Sequence, residues 1–308
     1  MVGAAARLGD NSAMTSLRFT KGHGTENDFI LLPDPDGAME LGPEDVRLLA
    51  ERRAGIGADG VIRVVPTALA SEPDVVAQSM VAAWFMDYRN ADGSISQMCG
   101  NGVRVIAAYL RREGLEVGEE FAIATRSGVK QVRFEGDLVA VDMGPWAFPQ
   151  EALAREAGHD ALVHIDGHEP LSAVSVDLGN PHTVAALPPA IDLATLDLTR
   201  APLVNPEPPA GTNVEFVRPL GPGHIAMRVF ERGVGETRSC GTGACAAALA
   251  TSLWASGDVE PGQPWRVDVP GGQLRVTPLA GGRVELAGPA VLVADGTITL
   301  TELRDAGR

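Results

Sequence analysis

The feature that most constrains this chain is a repetition. Cys99-Gly-Asn-Gly opens the run VRVIAAYLRREG, and nearly half of the 308 residues later Cys240-Gly-Thr-Gly opens ACAAALATSLWASG. Both runs predict a helix closed by a glycine, Gly114 in the first case and Gly257 in the second, and the first also has a basic last turn. Three short β-type runs follow each helix. They centre on Phe121, Val132 and Leu138, split by Gly128 and Gly136, and on Val267, Leu274 and Val284, split by Gly271-Gly272 and Gly281-Gly282. Such spacing predicts meanders with tight turns. One Cys-Gly-x-Gly carries little, but its recurrence in the same helix-then-meander order predicts a half-molecule used twice. Two lobes also suit the length, since domains run to roughly 100–150 residues.

Elsewhere the chain predicts strands at Phe29 to Leu32, Val61 to Val65 and Ala82 to Asp87, and a helix from Glu44 to Arg53. TENDFILLP at Thr25 to Pro33 is weakly similar to TNVEFVRP at Thr212 to Pro219, and GPWAFP at Gly144 to Pro149 reads as a linker. Residues 1–16 are small and polar without periodicity and are expected to form a flexible leader, so a chain starting at Met14 should keep full activity. GIGADG at Gly55 to Gly60 spells a dinucleotide fingerprint but follows a helix and leads into a strand, the reverse of what that fingerprint requires. A tight turn is expected there.

The formal net charge of −15 argues against nucleic acid and anionic membrane as partners, because phosphate binding depends on Lys and Arg. No apolar run approaches the roughly 20 residues that span a bilayer, and the opening residues lack a signal-peptide core, so the expectation is cytoplasmic. Three cysteines do not make a disulfide framework. Cys245, inside an Ala-rich helix, reads as a small buried residue.

A cysteine at a helix start faces unpaired N–H groups and the positive end of the dipole, which favour a thiolate. The neighbouring glycines let a carboxylate approach the same N–H groups. Two related cysteines around one carboxylate suit inversion at a carbon, which needs a base on one face and an acid on the other. Packing glycines, a zinc site and a redox disulfide are the competing readings. No short Cys/His spacing supports zinc. Pyridoxal phosphate would need a Schiff-base lysine, and the chain has only Lys21 and Lys130, neither in a phosphate-binding context. The expectation is an enzyme without cofactor or metal, acting on an amino acid.

The segments FTKGHGTENDF, RAGIGADG, YRNADGSISQMCGNGVR, LGNPH, TNVEF and FERGVGETRSCGTGACA resemble, in this order, the signature regions of the diaminopimelate epimerase family. The resemblance runs from about Leu17 to the C-terminus. It implies interconversion of LL- and meso-diaminopimelate, on the route to lysine and peptidoglycan, by two cysteines. It also implies an α+β fold of two pseudo-symmetric lobes, 17–143 and 144–290, each a rolled, mostly antiparallel sheet around a central helix, with the site in the cleft between. A last strand at about 291–303 would return to the first lobe. By resemblance Cys99 and Cys240 are the catalytic thiols, and N–H groups near Gly100, Asn101, Gly241 and Thr242 clamp the α-carboxylate. Asn27, Asn90, Asn180, Asn213, Glu231 and Arg232 complete the substrate set, with His182 as an accessory, and a homodimer is compatible with this plan. Arg232 suits a distal carboxylate and Glu231 an ammonium.

Three departures from the family wording stand out: GTEND for Gly-Leu-Gly-Asn-Asp, Gly60 where some members carry a substrate-facing Gln, and Ser239 where Ala is frequent. A proline or hydroxyproline racemase is the nearest rival, but its first motif resembles Cys-Gly-His-Gly and here Asn101 holds the His position. A related isomerase without the thiol pair, or a non-catalytic amino acid binder, would have no need of two cysteines.

Overall fold

The computed structural model describes residues 16–306, so the leader expected at 1–16 lies, except for Ser16, outside the described residues. Short runs with buried residues on one or both faces build eighteen strands among the described residues. In the first half these are β1 (Ser16–Gly24), β2 (Asn27–Pro33), β3 (Gly60–Pro66), β4 (Trp84–Asn90), β5 (Glu120–Ala124), β6 (Lys130–Glu135) and β7 (Leu138–Pro145). Then come β8 (Ala161–His164), β9 (Leu171–Asp177), β10 (Pro181–Ala186), β11 (Leu203–Asn205), β12 (Asn213–Gly221) and β13 (His224–Glu231). The last are β14 (Gly235–Thr237), β15 (Trp265–Val269), β16 (Gly272–Leu279), β17 (Arg283–Pro289) and β18 (Val291–Thr299). Among the described residues six α-helices accompany them: α1 (Pro43–Ala50), α2 (Pro73–Val76), α3 (Gly100–Arg112), α4 (Glu151–Ala157), α5 (Gly241–Ser256) and α6 (Leu300–Ala306).

The strand ladders state the repeat in full. In the first lobe β18–β1 and β1–β2 pair antiparallel, β2–β3 parallel, β3–β4 antiparallel, β4–β5 parallel, and β5–β6 and β6–β7 antiparallel. In the second lobe β8–β9, β9–β10, β10–β12, β12–β13, β13–β15, β15–β16 and β16–β17 follow the same sequence of senses. The lobes join where β7 pairs antiparallel with β17, placing Val141 opposite Leu286. Each sheet wraps one long helix, α3 or α5, and the largest apolar cluster runs through both helices and both sheets. Helix α5 is buried nearly all round, which its Ala-rich sequence permits.

Three expectations need correction. The equivalent of β2 is β10, not β12, so TENDFILLP aligns in space with the segment around Asn180-Pro181-His182, while TNVEFVRP aligns with β3. Similar letters in both strands start as Thr and Asn before an apolar run misled the comparison. Helix α1 stops at Ala50 instead of Arg53, because Glu51 turns extended and the N–H groups of Ile56 and Gly57 both return to Leu49 O. The last strand ends at Thr299, and α6 follows it, tied to α1 by Arg304 Nε donating to Asp45 Oδ1 at 2.8 Å.

Candidate active site

Cys99 and Cys240 are the N-caps of α3 and α5, both with extended backbone. That conformation carries the chain from a loop into the helix and leaves the first N–H groups of each helix free to face outward. Cys240 Sγ accepts from Gly243 N–H at 3.3 Å and lies 3.5 Å from Thr242 Oγ1. Cys99 Sγ lies 3.6 Å from Asn27 Oδ1. The glycines of both motifs are closely approached by side chains: a Cβ on Gly102 would come 2.5 Å from Met86 Cε, and one on Gly243 would come 2.7 Å from Glu215 Oε1, so either side chain would have to move. At the lobe junction the helix starts meet. A Cβ on Gly241 would stand 3.2 Å from Asn101 Oδ1 and 3.5 Å from Asn101 N, so two positive helix ends converge there.

Polar side chains from both lobes lock this junction. Asn101 Nδ2 donates to Asn27 Oδ1 and to Ser239 O, each at 3.2 Å, and Asn27 Nδ2 donates to Asp59 Oδ2 at 2.8 Å. Thr25 Oγ1 and Ser239 Oγ are 2.6 Å apart. Thr25 and Glu26 form the two-residue β1–β2 turn, both at positive φ (51° and 62°) as in a type I′ hairpin. The departures GTEND and Ser239 are thus one contact across the lobes.

Register pairs the substrate-set residues across the two lobes. Phe29 faces Gly60 as His182 faces Asn213, and Gly60 faces Asn90 where Val214 faces Phe230 one step along. By this register Asn27 corresponds to Asn180, Gly60 to Asn213, Asn90 to Glu231 and Cys99 to Cys240. The lobes diverge one layer behind, where Phe29 and Ile62 stand in one and His182 and Glu215 in the other. His182 Nδ1 and Glu215 Oε1 are 2.7 Å apart in full burial, and His182 Nε2 and Glu215 Oε2 have no partner.

Asn213 accepts from Arg232 N–H at Oδ1 (3.0 Å) and donates to Pro181 O (3.3 Å), so it fixes the backbone beyond β13. The exposed Arg232 guanidinium donates to Ala210 O and has no carboxylate partner among the described residues. Glu231 accepts from Thr237 Oγ1, and burial, reinforced by Glu215, pushes its carboxyl above the ordinary range. Asn180 Nδ2 donates to Thr242 Oγ1 at 3.4 Å. Asn90 is the outlier: its Nδ2 donates to Ser94 Oγ at 3.0 Å within its own turn.

Removal from water pushes the Cys99 thiol up to about 11, while the N–H groups of Gly102 and Asn101 and the charge of Arg104 draw it down. Cys240 is pushed well above the ordinary thiol value, by burial first and then by Glu231 and Glu215. Three residues near this centre were not among the sequence candidates. Glu215 is a carboxylate within the apolar run VEFV, a signal the sequence does carry. Tyr88, pushed up by burial and by Cys99, Glu231 and Asp59, occupies the space that a side chain at position 60 would need. Arg104 is fully buried. The two lysines are engaged elsewhere, Lys21 with Asp28 at 2.6 Å and Lys130 with Met143 O at 2.9 Å. Among the described residues no group of three His, Cys, Asp or Glu side chains is placed to hold a metal.

This two-lobed architecture is shared with solved structures of low sequence identity. A Bacillus anthracis phenazine biosynthesis protein of the PhzF family matches with a TM-score of 0.62 at 17% identity, covering 92% of this chain and 99% of that one. A hydroxyproline epimerase from Agrobacterium vitis also matches with 0.62 at 17% identity, covering 92% and 93%. Together they define a fold of two like lobes around two central helices. Within it the chain belongs to the diaminopimelate epimerase family, whose model matches residues 19–149 and 174–293. Diaminopimelate epimerase of Thermobifida fusca is 46% identical over 94% of this chain and 100% of that protein, and that of Streptomyces coelicolor 48% identical over 92% and 95%. The chain is accordingly an isomerase that interconverts LL- and meso-diaminopimelate, a small-molecule substrate of lysine biosynthesis. No described helix is long and apolar enough to cross a membrane.

Proposed function

We propose that Cys99 and Cys240 are the two proton-transfer groups of this epimerisation, acting from opposite faces of one α-carbon. The observation that carries this reading is the meeting of two cysteine-capped helix starts at Gly241 and Asn101. A substrate α-carboxylate placed there accepts from N–H groups of Gly100, Asn101, Gly241 and Thr242, aided by two helix dipoles. One thiolate takes the α-proton, so that the C–H bond breaks and an S–H bond forms. Its electron pair passes into the carboxylate, where the N–H groups meet the growing charge. The opposite thiol then gives its proton to the other face of the carbon and is left as the thiolate.

The distal amino acid group falls to the second lobe. Arg232 offers an uncompensated guanidinium for the far carboxylate, held in place through Asn213, and Glu231 offers a carboxylate for an ammonium. Asn27 and Asn180 stand at equivalent positions on the two sides of the reacting carbon. Tyr88 fills the place of the Gln that some relatives carry at position 60, and His182 lies behind with Glu215.

Incubation with LL-diaminopimelate in deuterium oxide tests the reading: α-deuteration should accompany formation of the meso isomer. Cys99→Ala and Cys240→Ala should each lower epimerisation by at least about 10²-fold, the order expected for loss of a proton-transfer group. Full activity in either variant refutes it.

A further inference from the structure

Arg104 lies five residues after Cys99 on α3, and none of its side chain reaches solvent. Among the described residues no carboxylate pairs with it. Its Nη1 donates to Pro289 O at 3.0 Å, and its Nη2 donates to Asn101 Oδ1 at 2.5 Å and Thr25 Oγ1 at 3.4 Å, while Nε has no partner. The backbone is cleared for it: a Cβ on Gly288 would overlap the guanidinium, and one on Gly24 would stand 2.9 Å from Nη2. A cation taken out of water without a counter-ion is strongly destabilising in general. Burial lowers its pKa to about 10, so it is still charged at neutral pH.

The repeat shows what the other lobe has at this place. Five residues after Cys240 stands Cys245, a buried neutral thiol. The fixed charges around the two reacting cysteines are therefore unequal. Near Cys240 are Glu231 from β13, Glu215 from β12 and His182 from β10. Near Cys99 are Arg104 on its own helix, Tyr88 on β4, Asp59 ahead of β3 and, across the lobes, Glu231. Asn27 Oδ1 and Glu231 favour the neutral form of Cys99, whereas Arg104 and the N–H groups of Asn101 and Gly102 favour the ionised one.

We propose that Arg104 is a positioning residue for the proton: its buried guanidinium makes Cys99 the more readily ionised of the two thiols, the one on which the reactive thiolate forms first. The cation then faces the negative charge that forms on Cys99 when that thiol ionises. It also sets the amide of Asn101, whose Oδ1 accepts from Arg104 so that Nδ2 points to Asn27 and Ser239. This inference rests on the two-cysteine reading above, and the two fail in different ways.

The test is alkylation of the substrate-free enzyme with iodoacetamide across a pH series, with Cys99 and Cys240 resolved by peptide mass mapping. In the unaltered enzyme Cys99 should react with the lower pH midpoint. Arg104→Gln should raise that midpoint by about one pH unit, a tenfold loss of thiolate at a given pH, and leave Cys240 nearly unmoved. Arg104→Lys, which keeps the charge, should restore most of it; a purely structural arginine would show neither the selective shift nor the rescue. An unmoved Cys99 midpoint in Arg104→Gln overturns the proposal. So does Cys240 ionising first in the unaltered enzyme, a measurement that needs no variant to fold. Normal turnover of Cys99→Ala would instead defeat the two-cysteine reading itself.

Discussion

At the scale of single residues, chemistry was more legible than environment. Cysteine beside glycine at a helix start is a local pattern, so Cys99 and Cys240 stand out from the letters. Burial is not local, and the elevated thiols and the raised Glu231 carboxyl emerge only when strands far apart in sequence pack together. The pH profile should record this. A thiol pushed up to about 11 is mostly protonated at pH 7, and its ionised fraction grows about tenfold per pH unit below that value. The kcat/KM, which reports the free enzyme, should therefore climb as pH rises from about 7 to about 9; a flat profile over that range would contradict the raised thiols. Arg232→Lys keeps a charge but loses the planar fork, so KM for diaminopimelate should rise by roughly tenfold or more with a smaller change in kcat. An unchanged KM would remove Arg232 from the distal site.

At the scale of elements, helices α3 and α5 and the two meanders were legible because glycine and basic stop signals mark their ends within a few residues. The hairpin turn at Thr25 and Glu26 was not. Neither residue favours positive φ, and the turn is held from outside by Ser239 and by the close approach of Gly271, whose Cβ would overlap Thr25 O. Because Asn27 begins the strand that leaves this turn, Gly271→Ala should disturb the site as well as the packing. We expect a loss of about 1–3 kcal/mol in stability, the usual size for overpacking, read as a lower Tm, together with reduced kcat. Unchanged stability would mean that the turn does not depend on this contact. The correspondence of β2 with β10 was equally hidden, since it is written in ladder register and the two strands share almost no letters.

At the scale of the whole molecule, the ladder between β7 and β17 and the apolar cluster that runs through both central helices make one folding unit of two lobes. Calorimetry should show a single unfolding transition with matching calorimetric and van't Hoff enthalpies. Two resolved transitions would mean the lobes are independently stable. The repeated halves differ in one respect that matters before the protein is ever complete. All the strands of the second lobe, β8 to β17, are contiguous in the chain, but the first lobe borrows β18 to cover β1. On the ribosome, the half that is made first must wait with an open sheet edge until β18 emerges behind the whole second lobe, while the half made second can close on strands that follow one another. The nascent chain is therefore most exposed to wrong strand pairing at its older end.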